Sequence, residues 1–342
     1  MNRNIRALPK IELHCHLDGS LRIDTILDIL KSDNKIDATD IEEIRSMDKR
    51  EALEKIKSKV VVPIDTNSLV QYLDSFELPV EIMQTEEVLE RVAFELLEDA
   101  AKENVKYIEV RYAPLLHTRR GLGVKEIISS VLAGMKRAEE EYGIKGNLIL
   151  GCMRNMSEDD AIKVIEQGKE FIGRGVVAVD LCGPEEEGFC KNYLNAMSLA
   201  RSLGYHVTIH AGEAASGQNV LDAINLLGAT RIGHGVRTKD CKEAYDLVKS
   251  KGISLEMCPT SNIQTKAVSS LENHPFCEYL SEGIRVSLNT DNRTVSDIDL
   301  SHEIKIMDLD SYETYEKIYK YSVESSFADE DTKSWLLKIL KS

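Results

Sequence analysis

The sequence predicts an α/β fold: a (β/α)8 barrel of the TIM type, with a helical insertion after its first strand and extra C-terminal helices. Three observations carry that expectation. Short β-rich runs recur eight times along the 342 residues, amphipathic helical segments fill most intervals, and from the third run onward the starts fall steadily at 147, 176, 206, 231, 253 and 284. Strand–helix alternation implies a parallel sheet, and eight repeats imply one that closes on itself. At ~150 residues per domain the length would suggest two domains, but barrels of this class exceed that figure as one unit. The chain has no linker or low-complexity tract, so a single domain over 1–342 is expected.

The first run is IELHCHL (11–17), and the next begins only at 105. Much of that gap, about 32–104, is the expected insertion. Its first part, IDATDIEEIRSMDKREALEKIKSK, is densely charged and reads as a solvated helical pair. Its second part, NSLVQYLDSFELPVEIMQT, carries Leu, Tyr and Phe at helical spacing, either as core or as a lid over the barrel mouth. The runs VKYIEVRYAP (105–114), NLILGCMRN (147–155) and VVAVDLCG (176–183) follow. Helical patterns VKEIISSVLAGMKRAEEEYG, SEDDAIKVIEQGKEFIG and CKNYLNAMSLARSLG come between and after them, each with apolar residues at i, i+3 and i+4 and a terminal Gly. Ser157 with Asp160 forms an N-cap signature. The last four runs are HVTIHAGE (206–213), RIGHGV (231–236), ISLEMCPTSN (253–262) and IRVSLNTDN (284–292). Beyond them, over about 297–342, SYETYEKIYKYSVESSF and EDTKSWLLKILK read as the extra helices.

Composition bounds the function. With 43 Lys+Arg against 58 Asp+Glu the formal charge is −15, which argues against a nucleic-acid polymer as partner, since neutralising phosphates takes clustered cations. The opening MNRNIRALPKIELHCHL has no apolar signal core, and no stretch approaches the ~18 apolar residues of a membrane span. Seven cysteines are scattered without a C-x-x-C, a pattern suited to a reducing compartment. The expectation is a cytoplasmic protein acting on a small molecule and away from membranes; the oligomeric state stays open.

Chemistry concentrates where the runs end. His14-Cys15-His16-Leu17-Asp18, Asp180 to Gly183, His210-Ala211-Gly212-Glu213, His234 and Asp291-Asn292 all close apolar runs, and four of the eight histidines lie among them. In a barrel these ends converge on one mouth. His14 and His16, two apart in a strand, face the same side. With His210 and Asp291 they make three nitrogens and a carboxylate, a set suited to zinc with room for a water; the bland alternative is three buried, hydrogen-bonded histidines. Glu213 is a candidate acid toward a substrate nitrogen, or simply a carboxylate favoured near a helix N-terminus. For His234, spacing leaves three roles: a further ligand, a base beside the metal, or a packed core histidine. The fourth run ends without a lysine to bridge two ions, which favours one metal per subunit. The H-x-E and P-C-x-x-C signature of zinc sites carried on a pair of helices is absent. Glu12 shares the inward face of His14 and His16 and should need a buried partner.

KIELHCHLDGSLR, CMR, VVAVDLCG, HAGE, RIGHG, CPTSN and SLNTDN, in this order, resemble the adenosine deaminase family of metal-dependent hydrolases. The resemblance runs from about Lys10 to beyond Asn292. It implies a zinc barrel that converts adenosine to inosine and 2′-deoxyadenosine to 2′-deoxyinosine with release of ammonia. Carried over by position, His14, His16, His210 and Asp291 resemble the zinc ligands, Glu213 the proton donor to purine N1, and His234 the residue that orients and deprotonates the attacking water. Gly183 resembles the backbone donor to N3, and Asp18, with His16 nearby, the ribose contact. Asn292 stands where many relatives carry a second Asp; an amide donates at any pH, so it is expected to keep the contact to N7. The nearest rival is a relative acting on adenine or on an N6-substituted adenine nucleotide. Such relatives tend to carry Glu or Asn in place of Asp18, and a nucleotide phosphate would call for a cation among Arg111, Arg154, Arg237 and Arg293.

Overall fold

The computed structural model describes residues 4–36, 40–64, 69–309 and 311–340. The parts of the expected insertion at 37–39 and 65–68, and of the C-terminal helices at 310 and 341–342, lie outside the described residues. Eight strands, β1 (Lys10–His16), β2 (Val105–Tyr112), β3 (Lys145–Met153), β4 (Val176–Cys182), β5 (His206–Ala211), β6 (Arg231–His234), β7 (Ser254–Met257) and β8 (Arg285–Leu288), pair in sequence order and all in parallel. Their apolar residues are buried almost without interruption, as expected for strands covered on both faces. The barrel closes between the last strand and the first at the mouth itself: Asp291 N donates to His14 O at 2.9 Å, and His16 N donates to Asp291 O at 2.7 Å.

Every run contains a strand, but most strands stop short of their runs. The largest difference is at ISLEMCPTSN, where β7 ends at Met257 and a helix occupies Pro259–Gln264. Proline has no N–H for a ladder and is well suited to the first helical turn, so Cys258-Pro259 turns strand into helix. At the mouth, His210 and His234 lie within β5 and β6, Glu213 follows β5, and Asp291, past β8, pairs with Cys15 in a single bridge.

Helices α1 (Ile23–Ser32), α2 (Ile41–Ser46), α3 (Lys49–Val60), α4 (Leu69–Asp74), α5 (Glu77–Ile82) and α6 (Glu86–Lys102) separate β1 from β2. The charged segment is the expected pair, α2 and α3, burying Ile41, Ile44, Ala52, Ile56 and Val60 while its charges face solvent. Helix α6 packs against β2 and against α7 (Val124–Tyr142), in the ring around the barrel. The part of the chain that stands over the mouth is therefore shorter than 32–104 and centres on α4 and α5. Helix α8 (Glu158–Gly168) starts at the expected capping box, with Asp160 N donating to Ser157 Oγ at 3.1 Å and Ser157 N to Asp160 Oδ2 at 3.1 Å. At the C-terminus, α9 (Leu300–Ile306), α10 (Tyr312–Ser325) and α11 (Glu330–Ile339) follow β8, and α10 packs across β8 and β1. Among the described residues no helix is long and apolar enough to cross a membrane.

Candidate active site

The strand ends bring the predicted site residues to one cavity of about 250 Å3. His16, Asp18, Gly183, His210, Glu213, His234, Asp291 and Asn292 all line it, and His14 lies fully buried behind them. Ligand-type atoms of His14, His210, His234 and Asp291 lie within 4.8 Å of one another. His16 joins them through its Nε2, 3.3 Å from both Asp291 Oδ1 and His210 Nε2.

Buried carboxylates decide which way the rings face. His14 Nδ1 is 2.8 Å from Glu256 Oε2, and His210 Nδ1 is 2.9 Å from Asp180 Oδ2. A carboxylate only accepts, so each ring carries a proton on Nδ1 and, when neutral, turns its Nε2 lone pair inward. Burial lowers the His210 imidazole to about 4 and pushes that of His16 well below its ordinary value, so both are neutral. Arg111 holds the two carboxylates in turn, reaching Asp180 at 2.9 Å and Glu256 at 2.7 Å, and Arg231 binds Glu256 and Glu109, each at 2.5 Å. Although burial opposes ionisation, these cations keep Glu256 well below the usual carboxylate range.

A second chain fixes His234. Phe276 N–H donates to His274 Nδ1 at 3.3 Å, which leaves the proton of a neutral His274 on Nε2, 3.1 Å from Asn262 Oδ1. Burial lowers the His274 imidazole to about 4, so it is neutral. The Asn262 amide then presents its nitrogen to His234 Nδ1 at 3.0 Å, and a neutral His234 carries its proton on Nε2. That Nε2 lies 3.5 Å from Glu213 Oε2, while Glu213 Oε1 accepts from Thr265 Oγ1 at 2.9 Å. His234 and Asp291 adopt left-handed backbone with φ of 61° and 62°, a conformation that costs non-glycine residues about 1–3 kcal/mol and that the surrounding bonds maintain.

The sequence reading missed Glu185. Its carboxylate accepts from the backbone N–H groups of Gly212, Glu213, Ala214 and Ala215 at 2.8–3.1 Å, and from Asn219 Nδ2 at 3.0 Å. Five donors on one carboxylate lock the turn that carries Glu213. Within the run of acids PEEE nothing singles out this one, and only the fold brings it to the HAGE turn. Glu12 finds its partners at the barrel seam: it accepts from Thr290 N at 2.8 Å and lies 3.6 Å from Arg293 Nη2. Asp18 is buried with Oδ1 making no hydrogen bond, and burial raises its carboxyl to about 7.

None of the four candidate arginines faces the cavity as a free cation. Arg111 is taken by Asp180 and Glu256, Arg293 by Glu103, and Arg154 by the carbonyls of Gly183 and His210. Arg237 donates to Glu213 O at 3.0 Å. Among the described residues lining the cavity there is no lysine or arginine.

The profile of the adenosine deaminase family matches residues 9–342. The adenosine deaminase of Clostridium botulinum (strain Hall) is 55% identical over 342 residues, covering 99% of this chain and 98% of that protein. Among solved structures, the adenine deaminase of Arthrobacter aurescens superposes with a TM-score of 0.86 at 25% identity, over 98% of each chain. The N6-methyl-AMP deaminase of Arabidopsis thaliana does so at 0.83 and 27%, over 98% of this chain and 97% of that one. On the strength of the profile and the close relative, the chain belongs to the adenosine deaminase family.

Proposed function

We propose that the chain hydrolyses adenosine to inosine and ammonia, and 2′-deoxyadenosine to 2′-deoxyinosine, as a zinc enzyme of purine salvage in the cytoplasm. One observation carries the reading. Glu213 and His234 stand 3.5 Å apart at a small cavity beside inward-facing imidazoles, with an apolar wall and, among the described residues, no cation for a phosphate. That arrangement suits a neutral nucleoside better than a nucleotide. Asp18, buried at the cavity with an unpartnered Oδ1, suits a ribose hydroxyl that adenine lacks. The 55% identity to an adenosine deaminase points the same way. Five of the seven cysteines (15, 152, 182, 190 and 258) are buried thiols, which fits a reducing compartment.

The residues fit a zinc ion. His14 Nε2 is buried 3.2 Å from Asp291 Oδ1, and the Nε2 atoms of His16 and His210 face each other across 3.3 Å, so three ring nitrogens and a carboxylate oxygen crowd together as the ligands of one cation would. His14, His16, His210 and Asp291 would hold one ion, in the borderline N/O donor set zinc favours. When bound, it would acidify water and so supply a nucleophile at neutral pH. Glu213, held by Thr265 and by the turn that Glu185 grips, delivers a proton to purine N1 and makes C6 electrophilic. The resemblance implies that His234 deprotonates the attacking water. Because its Nδ1 accepts from the Asn262 amide, however, a neutral ring keeps its proton on Nε2. Its part is instead to orient the oxygen that adds at C6 and to stabilise its charge by donating to it. Gly183 offers its backbone N–H to N3. Water adds at C6; one of its protons balances that placed on N1 through Glu213, the other goes to the N6 nitrogen, which leaves as ammonia, and the C6 oxygen remains in inosine.

Adenosine, 2′-deoxyadenosine, adenine and AMP assayed in parallel, with metal analysis of the same sample, test the reading. Turnover of the two nucleosides with one zinc per chain is expected. Turnover mainly of adenine or AMP would overturn it.

A further inference from the structure

We propose that Tyr72, on helix α4 of the insertion, is a positioning residue for base recognition: it fixes which end of the Asn292 amide meets the nucleoside. The proposal rests on the reading of Asn292 as the donor to purine N7.

The argument starts at Asp291. Its Oδ2 accepts a hydrogen bond from Ser261 Oγ at 2.6 Å. An ionised carboxylate cannot donate, so this bond takes the only proton of the Ser261 hydroxyl. Ser261 Oγ can then only accept from its other neighbour, Tyr72 Oη at 3.1 Å, so the phenol donates to Ser261, with Ser296 beside it as the lesser second acceptor. Tyr72 Oη in turn can only accept from Asn292, whose Nδ2 lies 2.8 Å away. A flipped amide would set a carbonyl oxygen against the phenol oxygen with no proton between them. The polarity of Asp291 is thus handed through two hydroxyls to the amide.

The other end of the amide packs against Gly19. Asn292 Oδ1 is buried, makes no hydrogen bond, and packs over Gly19, where a Cβ would sit only 1.9 Å from it. Glycine is required there by this close approach rather than by its backbone angles. With Oδ1 turned to Gly19 and one Nδ2 hydrogen on Tyr72, the second Nδ2 hydrogen remains for a ligand. Both side chains line the cavity, and N7 is the acceptor on the imidazole edge of a purine. Residues from the insertion and from the last barrel strand's extension therefore act on the base as one unit.

Inosine and 7-deazainosine, which differ only in the N7 acceptor and undergo no deamination, are the probes. Their dissociation constants are to be measured by calorimetry on the zinc-loaded enzyme. The wild type is expected to bind inosine about tenfold more tightly than 7-deazainosine, as suits one well-placed hydrogen bond. Tyr72→Phe keeps the ring and removes the relay; the ratio is expected to drop to about twofold or less through weaker inosine binding, with 7-deazainosine changed less than twofold. Ser261→Ala removes the acceptor that orients the phenol and is expected to lower the ratio in the same way. A wild-type ratio near one would overturn the N7 reading itself, and the proposal with it. A tenfold ratio retained in both variants would overturn the role of Tyr72 while leaving the N7 contact standing. Equal weakening of both ligands in Tyr72→Phe would reduce Tyr72 to part of the wall and would equally overturn the proposal.

Discussion

The floor of the cavity and the wall above it are built by opposite means. The floor is charged: His14, His210 and the carboxylates behind them are wired to Arg111 and Arg231, all fully buried or nearly so. The wall is apolar, made of Leu73 on α4, Phe76 at the N-cap of α5 and Val80 on α5, with the Tyr72 hydroxyl as a polar contact point. Buried charges hold ring orientations tightly, because a misplaced partner in a dry interior leaves an uncompensated charge. Apolar contacts tolerate small shifts at little cost. Damage to the floor should therefore appear in chemistry and metal affinity, and damage to the wall in substrate affinity.

The largest effect expected on the reacting side is from Glu213→Gln. The amide keeps the shape and the bond with Thr265 but cannot deliver a proton, so kcat should fall by roughly 10²–10⁴. Inosine affinity and zinc content should stay close to wild type; near-normal turnover would remove Glu213 from the acid role. Next comes Glu256→Gln, which touches no substrate. It weakens the grip on His14 Nδ1 and leaves Arg111 and Arg231 with one anion fewer. Zinc affinity, measured by chelator competition on the folded protein, should drop roughly 10–100-fold. An unchanged affinity would mean that the charged lattice supports the fold and not the ion.

The two regions also differed in how much the sequence disclosed. Floor residues at the strand ends stood out because a polar side chain closing an apolar run has no packing reason to be there, and His14, His16, His210, Glu213, His234 and Asp291 could be picked out one by one. Their supports could not. Glu256 lies 242 residues from His14, and Asn262 owes its role to His274 and His234, which only the closed barrel brings beside it. A usable signal did exist: Glu109, Arg111, Asp180, Arg231 and Glu256 interrupt apolar strands, and charges there require partners of opposite sign. The wall was harder still. Tyr72 at helical spacing in the insertion reads as core or lid alike, and which polar group its hydroxyl meets depends on packing over the mouth.

Phe76→Ala tests the wall. The ring packs against Tyr72 at a centroid distance of 6.0 Å and lines the cavity. Removing it should raise KM for adenosine several-fold by loosening the apolar side, with kcat within about threefold and zinc content unchanged. A fall in kcat as large as that of the floor variants would erase the distinction between the two regions.

The smallest effect concerns a carboxylate near the floor that lacks the cations of the others. Glu303 on α9 accepts from Thr260 N at 3.2 Å, and its Oε1 makes no hydrogen bond. Burial raises its carboxyl to about 8, with the neighbouring negative charges of Glu12 and Asp291 adding to the shift and Thr260 opposing it. Glu256, equally buried, goes the other way because two arginines face it. The sign for stability follows from where the proton sits. Between the ordinary carboxylate range and about pH 8 the folded chain keeps a proton that the unfolded chain has released. The stabilisation from that proton is complete below the unfolded value and is lost as pH rises through about 8. Glu303→Gln has no proton to lose. The difference in Tm, wild type minus variant, should therefore decline steadily from pH 5 to 8.5, while Asp18, which has no part in the Glu303 shift, titrates alike in both proteins and cancels. Parallel Tm profiles would show that Glu303 is ionised in the folded state, and would place beside it a compensating charge of the kind that the floor supplies to Glu256.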